Sequence, residues 1–522
     1  MGSLAVVDAD RVIQRALAKD PAERYQSAEE MAQALRACLA RGDLSGGVTA
    51  QAATRLMVLP FRLVRPDATI DFLAFSLPDA ITVSLSGLES LIVRSSLTAS
   101  RYSGDQPDLR ALASEAGVDA VVTGSLLQSA GLVRVNVQLV EVPSGTVLWS
   151  HAAQVPIDDM FQIQDGVCSA VVEALALPLS SREQRMLRRD VPASSEAYAH
   201  YLRANRLSAS SSQWPSAIES YQRAVEADPS YAPAWARMGR CLRVASKYGS
   251  TPEASEWRDQ AEEALQRAFR INPDLSLAHH FYTHFEVDAG RSLEAMVRLL
   301  GRVRGCSSDP ELYAGLVHLC RYVGLLDASI AAYRRATRLD PAIRTSIAHS
   351  FFMSGDFERV IELDVDDPPY LTALAQLALG RSDEAIALCR VAPERSPANE
   401  QLVLLMSAIR SLLEGNREEG RAAIARMQSS ATFSDPEGLY YWAQASAGLR
   451  DHENALDMLS RAVDTGLYCV RGFEVSPLLS VLRPSAAFDD ILERARVRQS
   501  AAARAFADAD GPRLLGLPLE TH

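Results

Sequence analysis

Trp214-Pro-Ser-Ala-Ile-Glu-Ser-Tyr-Gln-Arg-Ala-Val-Glu-Ala-Asp-Pro229 is the stretch whose reading decides the fold of this chain. Ala217, Tyr221, Ala224 and Pro229 stand 4, 3 and 5 residues apart. The first three therefore share one face of an α-helix, and the proline stops it. The same spacing returns at Ala261, Leu265, Ala268 and Pro273, and again at Ser329, Tyr333, Ala336 and Pro341. A preceding helix carries Trp235, Met238, Gly239 and Leu242, echoed by Tyr313, Leu316, Val317 and Cys320. Small residues let two helices touch and the aromatic fills the gap beside them. Each unit is a helix-turn-helix of about 34 residues. One such unit cannot bury its apolar face alone, so neighbours stack into a solenoid.

This pattern resembles the tetratricopeptide repeat, which implies a curved surface for a protein or peptide partner. Less regular units follow, with turns at Gly355-Asp356, Gly380 to Asp383, Gly415-Asn416 and Arg450-Asp451. Trp235 and Ala261 are about ten residues further apart than the standard step, which places an insertion near Ser246 to Ser255. Leu479-Ser-Val-Leu-Arg-Pro-Ser-Ala-Ala-Phe-Asp-Asp-Ile-Leu492 resembles the closing helix of TolB-like repeat proteins, and it caps the open end of the stack. The solenoid is expected over 194–497, with a frayed tail at 498–522, where periodicity fades. In such repeats the first helix of each pair lines the inner face. That register turns Arg206, Arg240, Arg243, His279, His318 and Arg321 toward the groove. Guanidinium forks bind carboxylates bidentately, so the expected partner is a protein or an acidic peptide.

Upstream, the hydrophobic period changes. Arg55 to Phe61, Leu91 to Arg94, Ala120 to Leu127 and Val133 to Val140 read as strands, the last alternating strictly. Pro143-Ser-Gly145 turns the chain into Val147-Leu-Trp149, making a hairpin. Helices are expected over 71–86, 108–116 and 160–175. Residues 55–180 thus form a compact α/β domain, followed by a linker helix at 181–193. Val58-Leu-Pro-Phe61, Leu77-Pro-Asp-Ala-Ile81, Ala116 to Asp119 with Gly124-Ser125, and Gly145 to Trp149 resemble the amino-terminal domain of TolB-like proteins. The resemblance implies a binding or regulatory role. Pro78 stands where the family has glycine, an expected change in a turn. Asp79, Asp119 and Asp158 are isolated carboxylates, read as caps or surface charges without catalytic company.

Nearer the N-terminus, Ala16-Leu-Ala-Lys-Asp-Pro-Ala-Glu-Arg-Tyr-Gln-Ser27 breaks a helix at Pro21 and opens another with Ser27 and Glu30 as a capping box. Residues 1–41 resemble the last helices of bacterial serine/threonine protein kinase domains, joined by a linker at 42–54. The phosphate loop, strand lysine, His-Arg-Asp loop and Asp-Phe-Gly site of a kinase are not in the sequence. A catalytic domain would have to precede Met1, and the chain as given is read as no enzyme. Only Lys19 and Lys247 are lysine, so 51 of the 53 basic residues are arginine and lysine chemistry has two candidates. The first lies in a turn; the second is expected in a loop.

Whole-chain properties bound the remainder. A formal charge of −12 disfavours nucleic acid and anionic membranes, which require a positive field. Long apolar runs and a secretory start are lacking, and the cysteines at 38, 168, 241, 306, 320, 389 and 469 form no close pair. Both fit a reducing cytoplasm. His280 and His284 lie one helical turn apart, but Phe281 stands where a metalloprotease needs glutamate, so both are read as structural and no metal or cofactor is implied. Trp235, Phe281, Tyr282 and Tyr333 are read as inter-helix core. The expected architecture is mixed: a short all-α kinase-tail fragment, an α/β TolB-like domain, then an α-α solenoid. The expected function is a non-catalytic signalling scaffold. The alternatives are the sensor portion of a kinase whose catalytic part is missing, and a small-molecule receptor acting through the α/β domain.

Overall fold

The computed structural model describes Tyr25, Ser27 and residues 54–518, leaving out 103–107, 157–158, 178, 181–182, 185–186, 188–189, 209, 249–253, 342, 364–367, 396–399 and 430–434. Residues 1–53 and 54–522 are separate compact units. The expected kinase-like helices, and the linker up to Ala53, lie outside the described residues apart from Tyr25 and Ser27.

Six strands form one mixed sheet: β1 (Thr54–Val58), β2 (Arg62–Leu63), β3 (Leu91–Val93), β4 (Ala120–Ser129), β5 (Leu132–Glu141) and β6 (Val147–Pro156). The order is β3-β1-β4-β5-β6, with β2 beside β4. β1 runs parallel to β3 and β4, whereas β4, β5 and β6 form an antiparallel meander. Between the strands lie α1 (Leu73–Leu85), α2 (Ser96–Ser100) and α3 (Leu109–Ser114), and α4 (Met160–Ala174) follows β6. Alternation along β1 sends Leu56 and Val58 to the face covered by α1 and α4, and Met57 and Leu59 to the face covered by α3. Gly124 on β4 is needed for packing. A Cβ there would sit 2.9 Å from both the Phe61 ring and the Asn136 carbonyl.

Pro78 is not in a turn, as expected from sequence, but inside α1. Proline offers no N–H to the Ala74 carbonyl one turn earlier. The Phe61 N–H donates to that carbonyl at 2.8 Å, so the loop after β1 supplies the missing bond.

Helix pairs follow in series. They are α5 (Ser195–Leu207) with α6 (Trp214–Ala227), α7 (Ala232–Tyr248) with α8 (Ala254–Ile271), α9 (Ser276–Asp288) with α10 (Ser292–Gly305), and α11 (Pro310–Tyr322) with α12 (Leu326–Leu339). Next come α13 (Ile347–Ser354) with α14 (Phe357–Glu362), α15 (Pro369–Ala378) with α16 (Ser382–Arg395), α17 (Glu400–Glu414) with α18 (Arg417–Gln428), and α19 (Pro436–Gly448) with α20 (His452–Asp464). The repeated alanines at 217, 224, 261, 268 and 336 are buried, as is Ser329. Gly355, Gly380, Gly415 and Arg450 take left-handed backbone at the expected turns. Residues 249–253 of the expected insertion lie outside the described residues; on either side of them α7 and α8 run 17 and 18 residues. Lys247 consequently lies in the last turn of α7.

Two features depart from an open, free-standing solenoid. The α1/α4 face of the sheet continues without a break into the core of α5 to α9, from Leu56 through Tyr198 and Tyr221 to Phe285. At the other end, α21 (Val470–Val475), α22 (Ala486–Asp508) and α23 (Gly511–Leu515) turn back: α22 packs on α10, and α23 on α10 and α12. The tail expected to fray from 498 is instead helical to Asp508, with Ala502, Phe506 and Leu515 buried. Its small alanines carry little periodic signal, yet they allow close packing on the backs of those helices. Arg304 caps the arrangement by donating to the Ala509 carbonyl at 2.7 Å.

Candidate functional site

The first helices of the pairs form one inner row, and it splits the six expected groove residues into three groups. Arg206 on α5 is exposed, while Arg240, Arg243 and His318 are half-buried. His279 and Arg321 are buried, at 8% and 0% exposure.

His279 leaves the groove altogether. Its Nδ1 accepts from Arg298 of α10 at 2.8 Å, so the ring is the neutral tautomer donating from Nε2 to the Pro273 carbonyl at 2.9 Å. Phe269 of α8 packs edge-on at 4.8 Å. Burial pushes this imidazole down to about 3. One helical step further, His280 and His284 take the place expected for His279. Their ring centroids are 5.1 Å apart, His284 lies 5.7 Å from His318 of α11, and His318 lies 4.5 Å from Tyr322. Burial, with Arg240 and Arg243 nearby, lowers His280 to about 4. His284 falls well below its ordinary value from burial and Arg243, and His318 to about 3 from burial and Arg321. The row is thus a strip of neutral imidazoles.

Arg321 is not available to a partner. Nε and Nη2 grip Glu437 of α19 at 2.7 and 3.0 Å. Nη1 donates to the Ser346 carbonyl and hydroxyl at 2.8 and 2.9 Å, and Nη2 reaches His318 Nδ1 at 2.9 Å. Burial alone would raise the Glu437 carboxyl, but the Arg321 guanidinium holds it well below the usual carboxylate range. Beside this cluster, Arg243 and Lys247 share Asp288 at 2.6 and 2.8 Å. Lys247 also faces Asp435 at 3.6 Å, to which the Tyr322 hydroxyl donates at 3.1 Å. The carboxylates expected from an acidic partner are here supplied by the chain itself. Asp435 and Glu437 open a first helix over a hundred residues downstream, so the helical register of α11 alone carries no sign of them.

What remains open is the α5 to α9 end. Arg240 stacks over the Phe281 ring at 5.6 Å, and neither it nor Arg206 forms an ion pair among the described residues. Glu311 meets His280 Nδ1 at 3.5 Å, and burial raises that carboxyl to about 7. No group of His, Cys, Asp and Glu side chains suited to a metal occurs among the described residues.

The isolated carboxylates of the α/β domain also acquire partners. Asp79 is buried, not a surface charge: it pairs with Arg237 of α7 and accepts from Ser96 Oγ at 2.7 Å. Asp119 is gripped by Arg55 through Nε at 3.0 Å and Nη2 at 2.5 Å. Asp158 lies outside the described residues. Arg94, which no sequence motif singles out, is fully buried and donates to the Ala116 and Gly117 carbonyls at 2.8 and 2.7 Å. It also donates to the Leu339 carbonyl and lies 3.5 Å from Asp340, bolting the sheet to the end of α12.

Residues 310–343, the α11–α12 pair, match the family model described as tetratricopeptide repeat. Residues 106–160 match the model described as FlgO protein. A relative described as putative adenylate cyclase 3 of Rhizobium meliloti (strain 1021) is 26% identical over 218 residues, which are 41% of this chain and 36% of that protein. The chain thus spans about a third of that relative's length. Among solved structures, the crystal structure of the P58(IPK) TPR domain aligns at 14% identity with a TM-score of 0.16, covering 66% of this chain and 99% of that one. In the described residues no helix is long and apolar enough to cross a membrane.

Proposed function

We propose that this chain is a non-catalytic interaction scaffold that holds a protein or acidic peptide on the α5 to α9 end of its inner row. The α/β domain, TolB-like by its motifs, serves as a regulatory module in the cytoplasm. The observation that carries this reading is Arg240, stacked on Phe281 without an ion-pair partner among the described residues, while every deeper cation of the row is engaged internally. A guanidinium held on an aromatic face and left without a carboxylate is pre-positioned for one. Affinity capture with the full chain, compared with an Arg206→Glu/Arg240→Glu variant, tests the proposal. Loss of the captured partner supports it, and undiminished capture rejects this face.

A second reading makes the chain the regulatory part of a larger signalling enzyme. It is supported by the match to a cyclase-named protein over only 36% of that protein, and by the kinase-like residues 16–27. Kinase and cyclase assays on this chain separate the readings: turnover of ATP here would overturn the non-catalytic proposal.

A further inference from the structure

Arg240, Arg243 and Lys247 follow one another along α7 at steps of three and four residues, so they form one basic stripe on a single helix face. The two ends of that stripe differ. Arg240 lies over the Phe281 ring and meets no carboxylate among the described residues. Arg243 and Lys247 share Asp288 of α9, and Lys247 also faces Asp435, the residue that caps α19 in the last helix pair, at 3.6 Å. The stripe therefore begins open and ends on an acid that the chain itself brings back across the inner row.

The start of α19 is held there by two acids with unequal grip. Glu437 is bound through two nitrogens of Arg321, whose side chain is fully buried. Asp435 meets Lys247 in one longer contact, and the two side chains remain 28% and 20% exposed. An ion pair that water still reaches contributes little, so another carboxylate can take the place of Asp435 at small cost. Asp435 has two further donors, the Tyr322 hydroxyl at 3.1 Å and the Glu437 N–H at 3.3 Å, and a neutral asparagine would serve both. From Arg240 to Lys247 the helix rises about 10 Å, the length of about three residues of extended chain.

Taking the inner row as the face that holds an acidic peptide, we infer that Asp435 is a built-in competitor for that peptide, occupying Lys247 until a carboxylate of the partner displaces it. The partner is an extended peptide with two carboxylates about three residues apart. The first settles on Arg240, which is open, and the second must win Lys247 from Asp435. A peptide with one carboxylate leaves the competitor in place. Glu437 stays on Arg321 throughout, so only the first turn of α19 is released and the curl of the later pairs is kept.

Fluorescein-labelled octaglutamate, which carries carboxylates at every such spacing, is the probe, titrated by anisotropy into the full chain. Asp435→Asn keeps the helix cap and removes the charge, and it should bind the probe about two- to five-fold tighter than wild type. Asp457→Asn makes the same charge change on an exposed face of α20 and should bind like wild type. In a Lys247→Met background the gain from Asp435→Asn should disappear, because the competitor and the peptide then have nothing to contest. Adding the probe to wild type should also speed amide exchange in the first turn of α19. Equal tightening by both asparagine variants, or none by Asp435→Asn, overturns the competitor. If Arg206→Glu/Arg240→Glu abolishes probe binding in that second case, the acid-binding face stands without it. If that variant binds like wild type, or no variant binds the probe, face and competitor fall together.

Discussion

Asp309-Pro310-Glu311 and Asp435-Pro436-Glu437 are the same tripeptide at the same place in a helix pair, the start of α11 and the start of α19. In each, the aspartate caps the helix by accepting from the glutamate N–H, at 2.9 and 3.3 Å. The glutamates then diverge. Glu311 is raised to about 7 by burial and by Asp340, whereas Glu437, though the more deeply buried of the two, is held far down by Arg321. Local sequence sets the cap; the charge state belongs to the neighbour across the inner row. That neighbour is present for Glu437 because the later pairs curl back until α19 meets α11.

Removing the neighbour breaks the contrast most severely. Arg321→Ala leaves Glu437 buried without its counter-charge and should cost about 3–5 kcal/mol of stability, read as a lower denaturant midpoint. Converting both partners to leucine should recover most of that loss, because a well-packed apolar pair replaces a buried ion pair at little cost. If the single and double variants are equally unstable, Arg321 acts by packing alone. Asp79→Ala strands Arg237 in the same way at the junction of sheet and repeats. A loss of about 3 kcal/mol is expected, with faster amide exchange in α1 and α7.

A subtler contrast is in pH. A carboxyl raised in the fold stabilises below its unfolded value of about 4.3, and that contribution is lost as pH rises toward about 7. Glu311→Gln should therefore raise the denaturation midpoint at pH 7.5, and its advantage should vanish near pH 4. The histidines act with the opposite sign. His279, His280 and His318 are neutral in the fold and lie at about 3 to 4, so their contribution is complete above pH 6.5 and is lost as pH falls through that window. His318→Gln should flatten the acid limb of a stability–pH curve; an unchanged limb would show that the strip does not control it. The smallest effect on stability is expected for Arg240→Glu, within about 0.5 kcal/mol. Its readout is binding, and a large loss of stability would mean that Arg240 is structural like Arg321.

Much of the architecture was legible along the chain. The strands β1, β3, β4 and β5 with the start of β6, the left-handed turns at Gly355, Gly380 and Gly415, and the alanine–aromatic–alanine spacing of the pairs are all local properties. Each is decided by a period of two or 3.6, or by a residue able to take positive φ. The inner row was legible only as a direction. Helical register pointed Arg240, Arg243, His318 and Arg321 inward but misplaced His279 by one residue. It could not distinguish a cation facing solvent from one facing Glu437.

Sequence alone thus determined that this protein is a run of stacked helix pairs behind a mixed sheet, because each pair needs only its neighbours and each strand only its alternation. The tertiary structure decided which charges are free. Curvature accumulates over many pairs, so small rotations set by packing bring Glu437 onto Arg321, Asp435 beside Lys247 and Phe506 into the core. These contacts span roughly a hundred residues or more, a distance over which no local period carries information.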